Sequence, residues 1–131
     1  MKKEVCRQLA KQHGVEIQFT ADNVPFLLPE DLKLCFYRVA REALNNSMKY
    51  SRAACIELKL IGCDDLLRMT IKDYGTGFDP PTATRGLGLA TMRERLRLVG
   101  GQLLINSRPG QGTEVRAQAR LEDRRGHATV A

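Results

Sequence analysis

The sequence predicts an α/β (α+β) two-layer sandwich, a mixed and largely antiparallel sheet of about five strands with three helices on one face. Two observations carry this. Five segments alternate apolar and polar residues at period two, and three others have helix-forming composition or apolar residues at helical spacing. Glycine, proline, asparagine and aspartate punctuate the joints between them.

Residues 3–12 have helix-forming composition, and His13-Gly14 closes them, as glycine does just past a helix end. Val15, Ile17 and Phe19 alternate with Glu16, Gln18 and Thr20, the pattern of a half-buried strand. Asp22 to Pro29 reads as a loop. Pro29-Glu30-Asp31 then opens the longest helix, with proline and two acids where the first turn and its dipole favour them. This helix is expected to run to about Tyr50, with Leu32, Cys35, Phe36, Val39, Ala40 and Ala43 on its apolar face.

Ile56, Leu58 and Leu60 form one strand parity, and Leu67, Met69 and Ile71 another, so the two segments read as a hairpin turning at Gly62-Cys63-Asp64-Asp65. A helix over 87–99 places Leu89, Met92, Leu96 and Val99 on one face and stops at Gly100-Gly101. Strands over 102–106 and 113–121, joined by a turn-rich Ser107–Gly112, complete the sheet. From Glu122 the chain reads as a frayed tail.

A length of 131 residues fits one domain with a single two-layer core. Hydrophobic content of 43% with 27% charged residues is that of a soluble globular chain, and no apolar run nears the roughly 20 residues of a membrane helix. A cytoplasmic location is expected, since no apolar stretch follows the basic N-terminus. The four cysteines are too irregularly spaced for a metal knuckle or redox motif and read as reduced thiols. A net charge of +6 suits polyphosphate or an acidic partner; direct nucleic-acid binding is not expected, because aromatics are only 5% and no basic run interleaves with them.

The chemistry concentrates in Asp73-Tyr74-Gly75-Thr76-Gly77 and Gly86-Leu87-Gly88-Leu89, which place four glycines near one carboxylate. Asp73 continues the inward parity of Met69 and Ile71, where a carboxylate needs a partner. An adenine amino group, or a water shared with one, would serve; capping of the following turn is the plain alternative. Thr113 heads the buried parity of the last strand, and its hydroxyl is a candidate to join Asp73. Helical spacing brings Asn46 onto the apolar face, with Glu42 one turn before it and Lys49 one turn after. A solvated Glu-Lys flank would explain Glu42 and Lys49, but not Asn46. Gly86 and Gly88 lie where a helix begins and free N–H groups attract phosphate, although neither a Walker loop nor a full dinucleotide fingerprint is present.

Four separated segments together resemble the catalytic and ATP-binding domain of bacterial sensor histidine kinases, of the Bergerat ATPase superfamily. Arg41–Tyr50 resembles an N box, Asp73–Phe78 a G1 box, Arg85–Leu89 a G2 box, and Gly110-Gln111-Gly112-Thr113 the closing GxGT. The helix 88–96 and the short lid are similar to the nitrate/nitrite-sensor-like subfamily.

The resemblance implies ATP and Mg²⁺ as cofactors and the Bergerat fold over residues 15–121. Residues 1–14 would end a linker or dimerisation helix, and 122–131 would be a flexible tail. Asp73 would receive the adenine amino group, with Gly75, Gly77 and Thr113 around the base. Asn46 would hold Mg²⁺, Lys49 would meet the phosphates, and Arg85, Gly86, Leu87, Gly88 and Leu89 would form the lid end. Glu42 matches a general-base position. Tyr74 stands where Asn is frequent, Tyr50 where His is frequent, and Leu87 where His is frequent in the subfamily.

Neither His13 nor His127 sits in a helix beside an acid, so the phosphoacceptor His is expected on a dimerisation domain of the same kinase outside this chain. Without it, little autophosphorylation of this chain alone is expected. The implied partners are that domain and a helix-turn-helix response regulator, and the full-length protein is expected to be a membrane-associated homodimer. A Bergerat-fold serine kinase, a standalone ATPase and a docking module without ATP turnover are the alternatives.

Overall fold

A computed structural model of the chain describes residues 7–8, 10–12, 14–49, 54–75, 88–108 and 110–121. Its frame is a five-stranded sheet of β1 (Glu16–Asp22), β2 (Cys55–Cys63), β3 (Leu66–Asp73), β4 (Gly101–Ser107) and β5 (Thr113–Arg120). The spatial order is β1-β2-β3-β5-β4. Among the described strands only β1 and β2 run parallel, which requires a long crossover between them. That crossover contains α1 (Glu30–Lys49); the second helix, α2 (Leu89–Leu98), joins β3 to β4. Residues 7–8 and 10–12 are also helical, and the Val15 N–H donates to the Ala10 carbonyl at 3.1 Å as the chain turns into β1.

Strand parity sorts the two faces as expected. Ile56, Leu58 and Leu60 of β2, Leu67, Met69 and Ile71 of β3, and Val115, Ala117 and Ala119 of β5 are buried. Both helices pack over this face, α1 on β3 and β5 and α2 on β4 and β5, and also against each other. Their apolar stripes, Leu32, Phe36, Val39 and Ala43 on α1 and Leu89, Met92 and Leu96 on α2, complete the core. Small residues on β5 let the helices sit close, and Gly101 does the same on β4: a Cβ there would stand 3.2 Å from the Leu96 side chain and 2.6 Å from the Gln118 carbonyl oxygen. No helix among the described residues is long and apolar enough to cross a membrane.

Several boundaries differ from the sequence expectation: the fourth strand takes in Gly101 and Ser107, and α2 begins at Leu89. β1 continues to Asp22, because pairing with β2 persists through Asp22 opposite Ile61. The β2–β3 turn is only Asp64-Asp65, with Asp64 at φ 53, while Gly62 and Cys63 belong to β2. Gly62 is small for a different reason. The Asn23 backbone lies on it, with the Asn23 amide donating to the Gly62 carbonyl at 2.9 Å, and a Cβ would meet the Asn23 carbonyl oxygen at 2.1 Å.

Gly62→Ala must therefore displace backbone and is expected to cost roughly 1–3 kcal/mol, seen as a lower urea midpoint at unchanged slope. An unshifted midpoint would refute this packing. Burial pushes the Cys35 thiol up despite the nearby Arg95 cation, whereas Cys63 is exposed. Iodoacetamide near pH 8 is expected to label Cys63 well before Cys35, by mass spectrometry of timed samples.

Candidate functional site

The inward parity of β3 ends on Asp73, which is 0% exposed. A carboxylate at such depth costs free energy unless hydrogen bonds replace its water. Three chain segments supply them. The Ser47 hydroxyl of α1 donates to Oδ2 at 2.7 Å, and the backbone N–H groups of Gly75 and Thr113 donate to Oδ1 at 3.1 Å each. The bond from Gly75 is the turn-capping contact that the sequence allowed, and it coexists with long-range bonds to α1 and β5.

Thr113 reaches Asp73 through its backbone rather than its hydroxyl. The hydroxyl instead pairs with Ser107 Oγ at 2.7 Å, the residue opposite it in the β4–β5 register. Gly112, at φ 78, lets this corner close: a Cβ would stand 2.3 Å from the Asp73 carbonyl oxygen. Ser47 and Ser107 are thus site residues that the sequence reading did not single out, whereas Gly112 stood there within the closing GxGT. Ser47 had a usable signal, since it lies four residues after Ala43 and seven after Ala40 on the same helical face.

Asn46 is 6% exposed on α1, immediately before Ser47, so the Ser47–Asp73 bond also sets where its amide lies. One turn earlier, Glu42 leans on the start of α2. Gly88 sits there at φ 65, and a Cβ on it would be 2.5 Å from Glu42 Oε1. Gly88 therefore serves two needs, a left-handed backbone and room for the acid. Leu89 follows as a buried anchor of α2. The Glu42 carboxylate stands near the positive end of that helix, where an anion is favoured.

Asp73, Gly75 and Thr113 thus meet α1 at Ser47, beside Asn46, and one turn earlier along this seam Glu42 meets Gly88 at the start of α2. Lys49 is exposed in the last turn of α1, and no contact among the described residues draws it inward. Gly77, Arg85, Gly86 and Leu87 lie outside the described residues. A hollow of about 360 Å³ opens behind this seam, with Lys72, Asn106 and Glu114 of the outward parity on its walls.

A family model described as histidine kinase-, DNA gyrase B-, and HSP90-like ATPase matches residues 31–123. The chain is 36% identical over 107 residues to the sensor histidine kinase MctS of Rhizobium johnstonii, covering 79% of this chain and 23% of that protein. It is 30% identical over 123 residues to the sensor histidine kinase LnrJ of Bacillus subtilis, covering 94% and 30%. The chain thus spans less than a third of these relatives. Among solved structures, the blue-light activated histidine kinase of Erythrobacter litoralis EL346 superposes with a TM-score of 0.80 at 19% identity, over 94% of this chain and 41% of that one. Full-length ShkA in complex with AMPPNP gives a TM-score of 0.71 at 23% identity, over 88% and 27%. These two likenesses establish a shared fold.

Ser47→Ala removes one donor from a buried carboxylate and is expected to cost roughly 1–3 kcal/mol of stability by denaturant unfolding. A neutral effect would mean that this bond does not brace Asp73.

Proposed function

Since the chain belongs to the family of histidine kinase-, DNA gyrase B-, and HSP90-like ATPases, we propose that it is the ATP- and Mg²⁺-binding catalytic domain of a sensor histidine kinase. It donates the ATP γ-phosphoryl to a histidine on a dimerisation domain outside this chain. One observation carries the reading: a fully buried carboxylate, Asp73, braced from three segments at the end of an apolar sheet. A bracing this extensive fixes an acceptor in space, which is what recognition of an exocyclic amino group requires.

In this reading Asp73 accepts from the adenine amino group, and Gly75 and Thr113 hold the carboxylate in the orientation to do so. Gly77 gives the base room. Asn46 offers an amide oxygen, a hard neutral donor suited to Mg²⁺, which takes few protein ligands and shares phosphate oxygens. The ion, when bound, neutralises phosphate charge. Lys49 and the backbone of Arg85, Gly86, Leu87, Gly88 and Leu89 serve the phosphates, the last at a helix N-terminus.

Phosphoryl transfer leaves a protein little covalent chemistry to perform, so positioning and electrostatics dominate. An imidazole nitrogen of the acceptor histidine forms the new N–P bond while the bond from the γ-phosphorus to the bridging oxygen breaks, and ADP leaves. Glu42, beside the start of α2, orients that imidazole by accepting from its other ring N–H. The phosphohistidine then serves a response regulator of helix-turn-helix type, and the intact kinase works as a membrane-associated homodimer with this domain in the cytoplasm.

Calorimetry tests the nucleotide site. Mg-ATP is expected to bind the chain saturably, EDTA to weaken binding, and Asp73→Asn to weaken it at least tenfold, about 1.4 kcal/mol. Equal affinity of Asp73→Asn and the unsubstituted chain would overturn the assignment. In the full-length kinase, Glu42→Gln is expected to cut phosphate incorporation from labelled ATP by about 10²-fold with nucleotide affinity kept. Undiminished incorporation would remove Glu42 from the mechanism.

A further inference from the structure

The open face of the sheet carries a hollow of about 360 Å³ at the end nearest Asp73. Its floor is one row of outward-parity residues, Lys72 of β3, Glu114 of β5 and Asn106 of β4, which face one another in register. Two strand spacings, about 10 Å, separate the outer members of that row. Its wall is the β4–β5 turn, where the Gln111 N–H donates to the Arg108 carbonyl at 3.0 Å and so fixes the two residues beside each other. A small molecule fits a hollow of this size.

The hollow is cationic. Glu114, its one acid among the described residues, is paired with Arg116 of the same strand at 3.1 Å. Lys72 and Arg108 form no ion pair among the described residues, and the Lys72 ammonium rests over the Tyr74 ring. Glu57 faces Lys72 from β2, but it stands outside the hollow and accepts from the Tyr74 hydroxyl. One cation from the sheet and one from the turn, with the Asn106 and Gln111 amides, thus suit an oxyanion. A phosphoryl group presents three acceptor oxygens, enough to meet both cations and an amide at once, whereas a carboxylate presents two.

We propose that this hollow binds a small phosphate anion, inorganic or a monoester, held by Lys72 and Arg108, with Asn106, Gln111 and Glu114 left to meet the hydroxyls of an ester. The site lies on the face of the sheet opposite the helices, so it is separate from the nucleotide seam. It nevertheless shares that seam's corner. Gly112 and Thr113 line the hollow, the Thr113 N–H donates to Asp73 Oδ1 at 3.1 Å, and the Gly112 backbone lies against that of Asp73. A phosphate that pins the turn stiffens the corner that braces Asp73, so phosphate and nucleotide each favour binding of the other. Only this coupling rests on the nucleotide reading above; the site stands without it.

Calorimetry of the chain with inorganic phosphate, glycerol 3-phosphate and succinate, at matched ionic strength, tests the site. Both phosphate probes are expected to bind saturably at millimolar concentration, and succinate at least about fivefold less tightly. Tighter binding of glycerol 3-phosphate assigns the site to an ester, and equal binding of the two assigns it to free phosphate. Lys72→Gln and Arg108→Gln, both outside the Asp73 network, are each expected to weaken phosphate binding at least about tenfold. Affinity for a fluorescent Mg-ATP analogue is expected to rise about fivefold in saturating glycerol 3-phosphate, and to stay unchanged in Arg108→Gln. Absence of saturable binding would overturn the site. Equal affinity in both variants and the unsubstituted chain would overturn it by showing an adventitious ion only, and displacement of phosphate by Mg-ATP would do so by placing phosphate in the nucleotide seam. Phosphate binding that leaves nucleotide affinity unchanged would overturn the coupling. A chain that binds phosphate and no nucleotide would instead refute the nucleotide reading and leave the phosphate site standing.

Discussion

The structure turns on one buried acid. Asp73 accepts hydrogen bonds from Ser47 on α1, from Gly75 in the following turn and from Thr113 on β5. Each bond offsets desolvation of the carboxylate, and losing any one leaves a buried acceptor short of a donor. The acid therefore couples elements far apart in sequence. Apolar packing alone would tolerate small sliding of α1 over the sheet, since Leu and Val contacts are non-directional. A hydroxyl-carboxylate bond of 2.7 Å does not. The network consequently sits at one end of the sheet and positions a site there, while the opposite end is held by hydrophobic side chains and by the close backbone approach at Gly62.

The first helix serves both ends of this arrangement. Its inward stripe joins the core, Asn46 and Ser47 extend that stripe into the site, and Glu42 borders α2. Burial of polar groups on such a stripe is stable only where the partners are fixed, and Gly88 and Gly112 show how closely the partners come. Both glycines have positive φ, and at both a Cβ would collide with a site acid or its backbone. Backbone conformation and close approach thus require the same residue twice at the rim.

Much of this was legible in the sequence because it depends on period. Alternation placed Asp73 and Thr113 inward, helical spacing placed Asn46, and the five strands and two long helices followed from the same arithmetic. What depends on register was not legible. Thr113 faces Ser107 only because β4 and β5 pair as they do, so its hydroxyl is engaged there and its backbone serves Asp73. Gly62 read as a turn residue because its constraint comes from Asn23, distant in sequence. Ser47 lay between these cases: its spacing was available, but a small polar residue beside Asn46 gave no chemical signal until Asp73 was seen opposite. The hollow on the open sheet face likewise needs tertiary placement, since Lys72 and Arg108 appear in sequence as ordinary solvated residues.

Register also explains how an aromatic residue at the site's edge is accommodated. Tyr74 follows Asp73, and alternation sends it away from the core. Its hydroxyl donates to Glu57 at 3.0 Å on the open sheet face, and the Lys72 ammonium lies 5.3 Å from its ring centroid. Bonding to the Glu57 carboxylate pushes the phenol up, so the hydroxyl keeps the proton it donates. An exposed cation–ring contact is worth about 0.5–1 kcal/mol, enough to orient a side chain and too little to reorganise a strand. Glu57 and Lys72 already face each other across β2 and β3, so the tyrosine extends an existing cross-strand pair. The tyrosine shapes the outer face of the sheet and leaves untouched the bonds from Ser47, Gly75 and Thr113 that hold Asp73.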